Sequence, residues 1–183
     1  NAAIFASGFD AFLASLELPN EVALHGLALA RRSGIPRCIL NPSPADDLPR
    51  RPLPEVDILT PNEPEARLLA GLDPAGGDPL PSVAQRLADI YRVPLVLITL
   101  GEEGCYVHTE GWKERVPCPR VTAVDTSGAG DCFNSTLAVS LSAGLPLREA
   151  VRLALQAASY SVTQPDSWPA YPTFEQAFAF RGI

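Results

Sequence analysis

Short apolar runs alternate with amphipathic helical stretches along this chain, and that alternation constrains the fold more than any other feature of its 183 residues. Residues 95–99, Leu-Val-Leu-Ile-Thr, form a near-continuous apolar run, as a strand covered on both faces requires. Residues 11–15, 38–40 and 56–59 predict further short strands, with helices over residues 20–32, 63–69 and 83–91 between them. Gly34 and Gly71 stop the first two of those helices. Residues 41–54 hold five prolines (Pro42, Pro44, Pro49, Pro52 and Pro54), which cannot continue a ladder and mark a loop. Residues 105–108 and 112–116, joined across Thr109-Glu110-Gly111, predict a hairpin, and helices over 131–142, 147–163 and 173–180 complete the chain. Repeated β-α-β order implies the α/β class: a mainly parallel sheet with helices on both faces, in three αβα layers. The length fits one domain.

Composition narrows the function classes. An apolar fraction of 46% with 19% charged residues is ordinary for a globular core and fits a cytoplasmic α/β domain. A net charge of −7 argues against nucleic acid or an anionic membrane as partner, since phosphate surfaces demand clustered Lys and Arg. No apolar run reaches transmembrane length, and the first residues lack a basic leader. The four cysteines, Cys38, Cys105, Cys118 and Cys132, form no Cys-x-x-Cys pair, which makes a zinc site improbable with only two histidines present. Cys38 and Cys105 read as buried thiols. Cys132 stands at a predicted helix N-terminus, which can activate a thiol, but beside Asp131, which opposes that effect.

Residues 125–131, Asp-Thr-Ser-Gly-Ala-Gly-Asp, carry the chemistry. A short strand over residues 121–124 is expected to end at Asp125, followed by a glycine-rich turn and a helix with Asp131 in its first turn. Turn glycines let backbone N–H groups converge on an outside point, and a helix N-terminus adds partial positive charge there. Such a place suits the oxygens of a phosphate in transit. A neighbouring carboxylate can take the proton from an attacking hydroxyl. The residues point to phosphoryl transfer, with Asp131 as base and the N–H groups of Gly128, Ala129 and Gly130 stabilising developing charge. A plain strand–turn–helix with two capping Asp residues explains the same seven letters equally well. A P-loop is excluded, because no Gly-x-x-x-x-Gly-Lys-Ser/Thr occurs.

Two further stretches break that tie. Residues 56–71 contain Thr60-Pro61-Asn62-Glu63-Pro64-Glu65, and residues 95–104 end in Thr99-Leu100-Gly101-Glu102-Glu103-Gly104. Taken in order with the Asp125–Asp131 turn, and with Leu16-Glu17-Leu18-Pro19, Leu40-Asn41-Pro42-Ser43-Pro44 and Ala158-Ser159-Tyr160-Ser161-Val162-Thr163, they resemble the ribokinase family of carbohydrate and nucleoside kinases. The likeness runs over essentially the whole chain. It implies a partial ribokinase-like fold in which residues 1–183 form the C-terminal, nucleotide-binding part of the kinase domain. It also implies transfer of the γ-phosphoryl group of ATP to a sugar hydroxyl, with ribose the first expectation. A nucleoside or vitamin kinase of the same superfamily, or a non-catalytic nucleotide-binding piece, remains open.

The resemblance assigns Asn62, Thr99, Gly101 and Gly104 to the nucleotide, Glu65 to Mg²⁺ through water, and Glu17, with Asp131, to the sugar. Without it, Asn62 and Glu65 are simply a capping box, Thr99 to Gly104 a strand end with a glycine turn, and Glu17 a strand-end carboxylate. The family's sugar-binding and lid segment precedes the stretch matched here, and residues 1–6 read as the end of a helix under way. The chain by itself is therefore expected to be inactive; the full-length protein leaves room for a homodimer. One place departs from the pattern. Asp125 would help to hold a monovalent cation, K⁺, but Gln164-Pro165-Asp166-Ser167 stands where the family usually runs into Gly-Ala, which puts that cation in question. Trp168, in the same loop, would either cover the adenine edge or pack beneath the loop, and packing is the expectation.

Overall fold

The computed structural model describes residues 8–182; the expected helix end over residues 1–6 lies outside them. The described chain divides into two compact units. One holds the chain up to Thr99 together with Tyr106–Glu114, and the other holds Leu100–Cys105 with the chain from Arg115 onward.

The first unit is built on a sheet whose strands follow sequence order: β1 (Phe12–Ser15), β2 (Cys38–Asn41), β3 (Ile58–Leu59), β4 (Leu95–Thr99), β5 (Cys105–Thr109) and β6 (Trp112–Val116). Strands β1 to β4 pair in parallel, with Phe12 opposite Cys38, Ile39 opposite Ile58 and Ile58 opposite Leu95. The two-residue turn Glu110-Gly111 folds β6 back on β5, so the sheet is mixed. Helices α1 (Asn20–Arg32), α2 (Glu63–Leu69) and α3 (Leu80–Tyr91) flank it. Every residue of β2 is buried, as an interior strand with two covered faces should be. Leu27 and Ala30 of α1, and Val83, Leu87 and Tyr91 of α3, close the core over Ile39, Leu59, Val96 and Ile98.

Two boundaries differ from expectation for visible reasons. β3 begins at Ile58 rather than residue 56. The Val56 N–H turns back to the Leu53 carbonyl at 3.0 Å, and the Asp57 side chain accepts from the Cys38 N–H at 2.8 Å and pairs with Arg31. Helix α3 starts at Leu80, three residues early, because Pro81 fits the first helical turn, where its missing N–H costs nothing. The proline-rich loop is tied down: Leu53 is buried, and its N–H reaches the Tyr91 carbonyl at 2.8 Å. Arg50 of that loop caps the end of α2 through the carbonyls of Leu68 and Leu69.

The second unit is helical. Helices α4 (Ala129–Ser142) and α5 (Leu147–Ser161) pack side by side, joined by a short link in which Gly144 takes φ +84°. The short α6 (Phe174–Ala179) opens on a capping box between Thr173 and Gln176 and packs on α5. Cys132, Leu153, Ala157 and Ala177 form a buried cluster, with Leu145 and Tyr171 packed against it.

The strand expected over residues 121–124 does not form. These residues form no ladder, and the Val124 N–H is taken by the Val162 carbonyl at 2.7 Å, beyond the end of α5. Extended backbone becomes a strand only beside a partner, and sequence pattern does not reveal the partner.

Candidate functional site

In the first unit, the parallel strands present their C-terminal ends along one edge of the sheet, where open α/β sheets collect ligands. Glu17 lies there, exposed, two residues beyond β1. Asn62 and Thr99 meet on the same edge: they form an isolated parallel bridge past the ends of β3 and β4, and the Thr99 N–H donates to the Pro61 carbonyl at 2.9 Å. Asn62 caps α2. Its Oδ1 accepts from the Glu65 N–H at 2.8 Å, and Glu65 Oε2 accepts from the Asn62 N–H at the same distance. The capping box is thus real, and it spends only one oxygen of Glu65. The neighbouring Glu63 is neutralised by the buried Arg67 at 2.5 Å, whereas Glu65 has no cationic partner among the described residues.

The second unit holds the two glycine turns. Leu100 leads into a single 3₁₀ turn over Gly101–Glu103, closed by the Leu100 N–H on the Gly104 carbonyl at 2.8 Å. Gly104 sits at φ +91°, and a Cβ there would run into the backbone of Val116, Pro117 and Cys118. Its glycine is therefore explained by packing alone. Gly101, at φ +57°, is exposed, and a Cβ there would meet open space.

The second glycine turn leads into α4 without a preceding strand. Asp125 accepts from the Ser127 N–H at 2.9 Å, and hydrogen bonds from Ser127 and the Asp166 backbone hold its carboxyl below the usual carboxylate range. Gly128 takes φ +74°, feeding Ala129 into the first turn of α4. Helix α4 begins two residues earlier than expected, which leaves Asp131 in the first turn, exposed. The Ala129 N–H makes a long bond to the Thr126 carbonyl at 3.3 Å. Those of Gly128 and Gly130 have no acceptor among the described residues, as first-turn amides commonly lack one. The turn therefore leaves the Gly128 and Gly130 donors unclaimed among the described residues, with a carboxylate one residue beyond Gly130.

Two side chains of the following loop lock this turn, and the motif gave no hint of either. The Tyr171 hydroxyl donates to the Gly128 carbonyl at 3.0 Å, and Ser167 hydrogen-bonds the same phenol. A Cβ on Gly128 would collide with both hydroxyls. Asp166 sits at φ +69°, a left-handed conformation that Asp tolerates better than most residues. Trp168, expected to pack under the loop, stands 79% exposed instead. No spacing rule links Gly128 to residues 39 and 43 positions away, so only the fold could reveal Ser167 and Tyr171.

Cys132 is no nucleophile: it is buried, and burial pushes its thiol up despite hydrogen bonds from Ser161 and Thr136. Cys38 and Cys105 are buried free thiols, as expected. Among the described residues, no group of three or more His, Cys, Asp or Glu side chains is placed to hold a metal ion directly. No helix among them is long and apolar enough to cross a membrane.

Comparison with known proteins identifies the family and the fold. Residues 1–173 match the model of the pfkB family carbohydrate kinases, and the chain belongs to that family. A ribokinase of Haemophilus influenzae is 33% identical over 171 residues, which cover 93% of this chain and 55% of the relative. A ribokinase from Thermotoga maritima superposes with a TM-score of 0.86 at 30% identity, over 98% of this chain and 59% of that one. An Arabidopsis thaliana ribokinase, solved with ribose and ATP, gives 0.79 at 26% identity over 97% and 57%. The fold is ribokinase-like, and the chain spans little more than half the length of these relatives.

Proposed function

We propose that the protein of which this chain is part transfers the γ-phosphoryl group of ATP to a sugar hydroxyl, with ribose as acceptor. The observation that carries this reading is the residue 128–131 turn. A left-handed glycine opens a 14-residue helix, and the Gly128 and Gly130 amides there have no acceptor among the described residues, beside the exposed carboxylate of Asp131. In a chain of this family, that arrangement fits charge stabilisation by Gly128, Ala129 and Gly130 and proton acceptance by Asp131. The transition state of phosphoryl transfer is loose, so orientation of the acceptor hydroxyl matters more than the strength of the base. Ribose is favoured by the relatives, which are named ribokinases and one of which was solved with ribose and ATP.

Asn62, Thr99, Gly101 and Gly104 would contact the nucleotide, and Glu17 the sugar. In this reading the chain is the nucleotide-binding part of its kinase domain. Mg²⁺ would neutralise charge on the transferring phosphates. The residues fit it in one manner: a single carboxylate with one spare oxygen, Glu65, suits a hydrated ion held through water, not a cage of protein ligands. Asp125 fits a monovalent cation less well, since the N–H groups of Ser127 and Asp166 already claim its oxygens. A cytoplasmic location fits the need for ATP. The test is sugar-dependent ADP release by the full-length protein, across ribose, fructose, adenosine and pyridoxal. Turnover with ribose and not with the others supports the reading; turnover confined to adenosine or pyridoxal moves the protein to another branch, and none at all refutes it.

A further inference from the structure

We infer that Tyr171 is a positioning residue for the phosphate-binding turn, acting through the peptide that joins Gly128 to Ala129. The inference rests on the kinase reading above.

A peptide group is planar, so the carbonyl of Gly128 and the N–H of Ala129 point in opposite directions from one rigid plate. Fixing the carbonyl therefore aims the amide, which in this structure makes only a long bond to the Thr126 carbonyl, at 3.3 Å. Two donors converge on that carbonyl: the Cys132 N–H, which makes the first helical bond of α4 at 2.9 Å, and the Tyr171 hydroxyl at 3.0 Å. Together they fill both lone pairs of the oxygen and remove the plate's freedom to tilt.

The anchor behind the hydroxyl is packed against the core of its unit. The Tyr171 ring packs on the buried cluster of Cys132, Leu153, Ala157 and Ala177, which draws on α4, α5 and α6. The phenol is held in turn by Ser167, and the charge of Asp131 is near enough to act on it. At φ +74°, Gly128 has no side chain to oppose rotation of its peptide, and any Cβ would be expelled by the two hydroxyls. The turn thus gives up side-chain restraint at Gly128 and regains it from residues 39 and 43 positions later. A tyrosine serving only the core would have no need of its hydroxyl on this carbonyl.

The experiment compares Tyr171→Phe and Ser167→Ala with wild type in the full-length protein. It reads kcat, KM for ATP and for ribose, thermal midpoint, and amide hydrogen exchange over residues 128–131. Tyr171→Phe keeps the ring and loses one oxygen. The expected result is a kcat lower by about tenfold or more, since misaimed donors lose transition-state stabilisation. Both KM values should stay within about twofold, the split that marks an interaction needed only in the transition state. Exchange at Ala129, whose N–H is held by the Thr126 carbonyl, should quicken while the thermal midpoint moves little. Ser167→Ala should shift the same quantities in the same direction and by less. A Tyr171→Phe enzyme with wild-type kcat and unchanged exchange overturns the inference and leaves the kinase reading intact. Loss of kcat only in step with lost thermal stability, with Ser167→Ala silent, also overturns it. A wild-type protein without sugar-dependent turnover overturns the kinase reading and this inference with it.

Discussion

Asn62 and Glu65 hold one another across the first turn of α2, each backbone N–H donating to the other's side chain at 2.8 Å. The pair performs two jobs that a substitution can separate. Glu65→Gln keeps an acceptor for the Asn62 N–H and removes the charge. The expected outcome is a thermal midpoint close to wild type, because capping survives, with a higher Mg²⁺ requirement and kcat/KM lower by roughly tenfold or more. Asn62→Ala removes the cap itself and should cost about 1 kcal/mol of stability in addition to activity. Thermal melts alongside a Mg²⁺ titration of the rate check both. An unchanged Mg²⁺ requirement in Glu65→Gln would reduce the pair to its capping role.

The two glycines of the residue 101–104 turn make opposite predictions. Gly104→Ala places a methyl against the carbonyl of Val116 at a left-handed φ, so backbone must move. A loss above about 4 kcal/mol, or failure to fold, is expected. Gly101→Ala meets open space and carries only the left-handed penalty, about 1–2 kcal/mol. If Gly101 approaches the nucleotide, its alanine variant should fold yet show weakened ATP binding by calorimetry. Normal ATP affinity in that variant would remove Gly101 from the nucleotide site.

Stability should fall with acid before the carboxylates titrate. His108 is buried, and its Nδ1 has no hydrogen-bond partner. Burial, aided by Lys113 and opposed by Asp89, lowers its pKa. The unfolded chain takes up the proton at the ordinary value near 6.5, while the folded protein takes it up only at lower pH. Between the two, unfolding binds a proton, so stability decreases as pH falls through about 6.5 and levels off below the folded pKa. Urea melts between pH 7.5 and 5 should show that decline, and His108→Gln should flatten it. A decline of equal size in the variant would assign it elsewhere.

The element order was legible because its determinants are local. Helix α1 lies over Asn20–Arg32 as its spacing implied, and β4 over Leu95–Thr99 as its apolar run implied. The capping box at Asn62 was visible as a three-residue spacing, and the structure forms it. What could not be read depends on partners distant in sequence. Residues 121–124 have strand-like composition but no strand beside them, and Val124 spends its N–H on Val162. β3 is shorter than its apolar letters because Asp57 turns its side chain toward Cys38 and Arg31. Trp168 is expected to pack beneath its loop, yet the Pro165–Ser167 approach to it turns through a left-handed Asp166 and the indole stands in solvent. Ser167 and Tyr171 belong to no motif; their role exists only once the loop returns to Gly128.

The most direct test of the central claim is the turnover of Asp131→Asn in the full-length protein, measured with ATP and ribose at saturation. The substitution preserves size and the helix start while abolishing the proton acceptor. The account predicts a kcat lower by roughly 10²–10⁴ with ATP affinity nearly unchanged, because the carboxylate acts in the chemical step. A variant that turns over within about threefold of wild type would contradict it, since positioning by the glycine turn alone would then suffice.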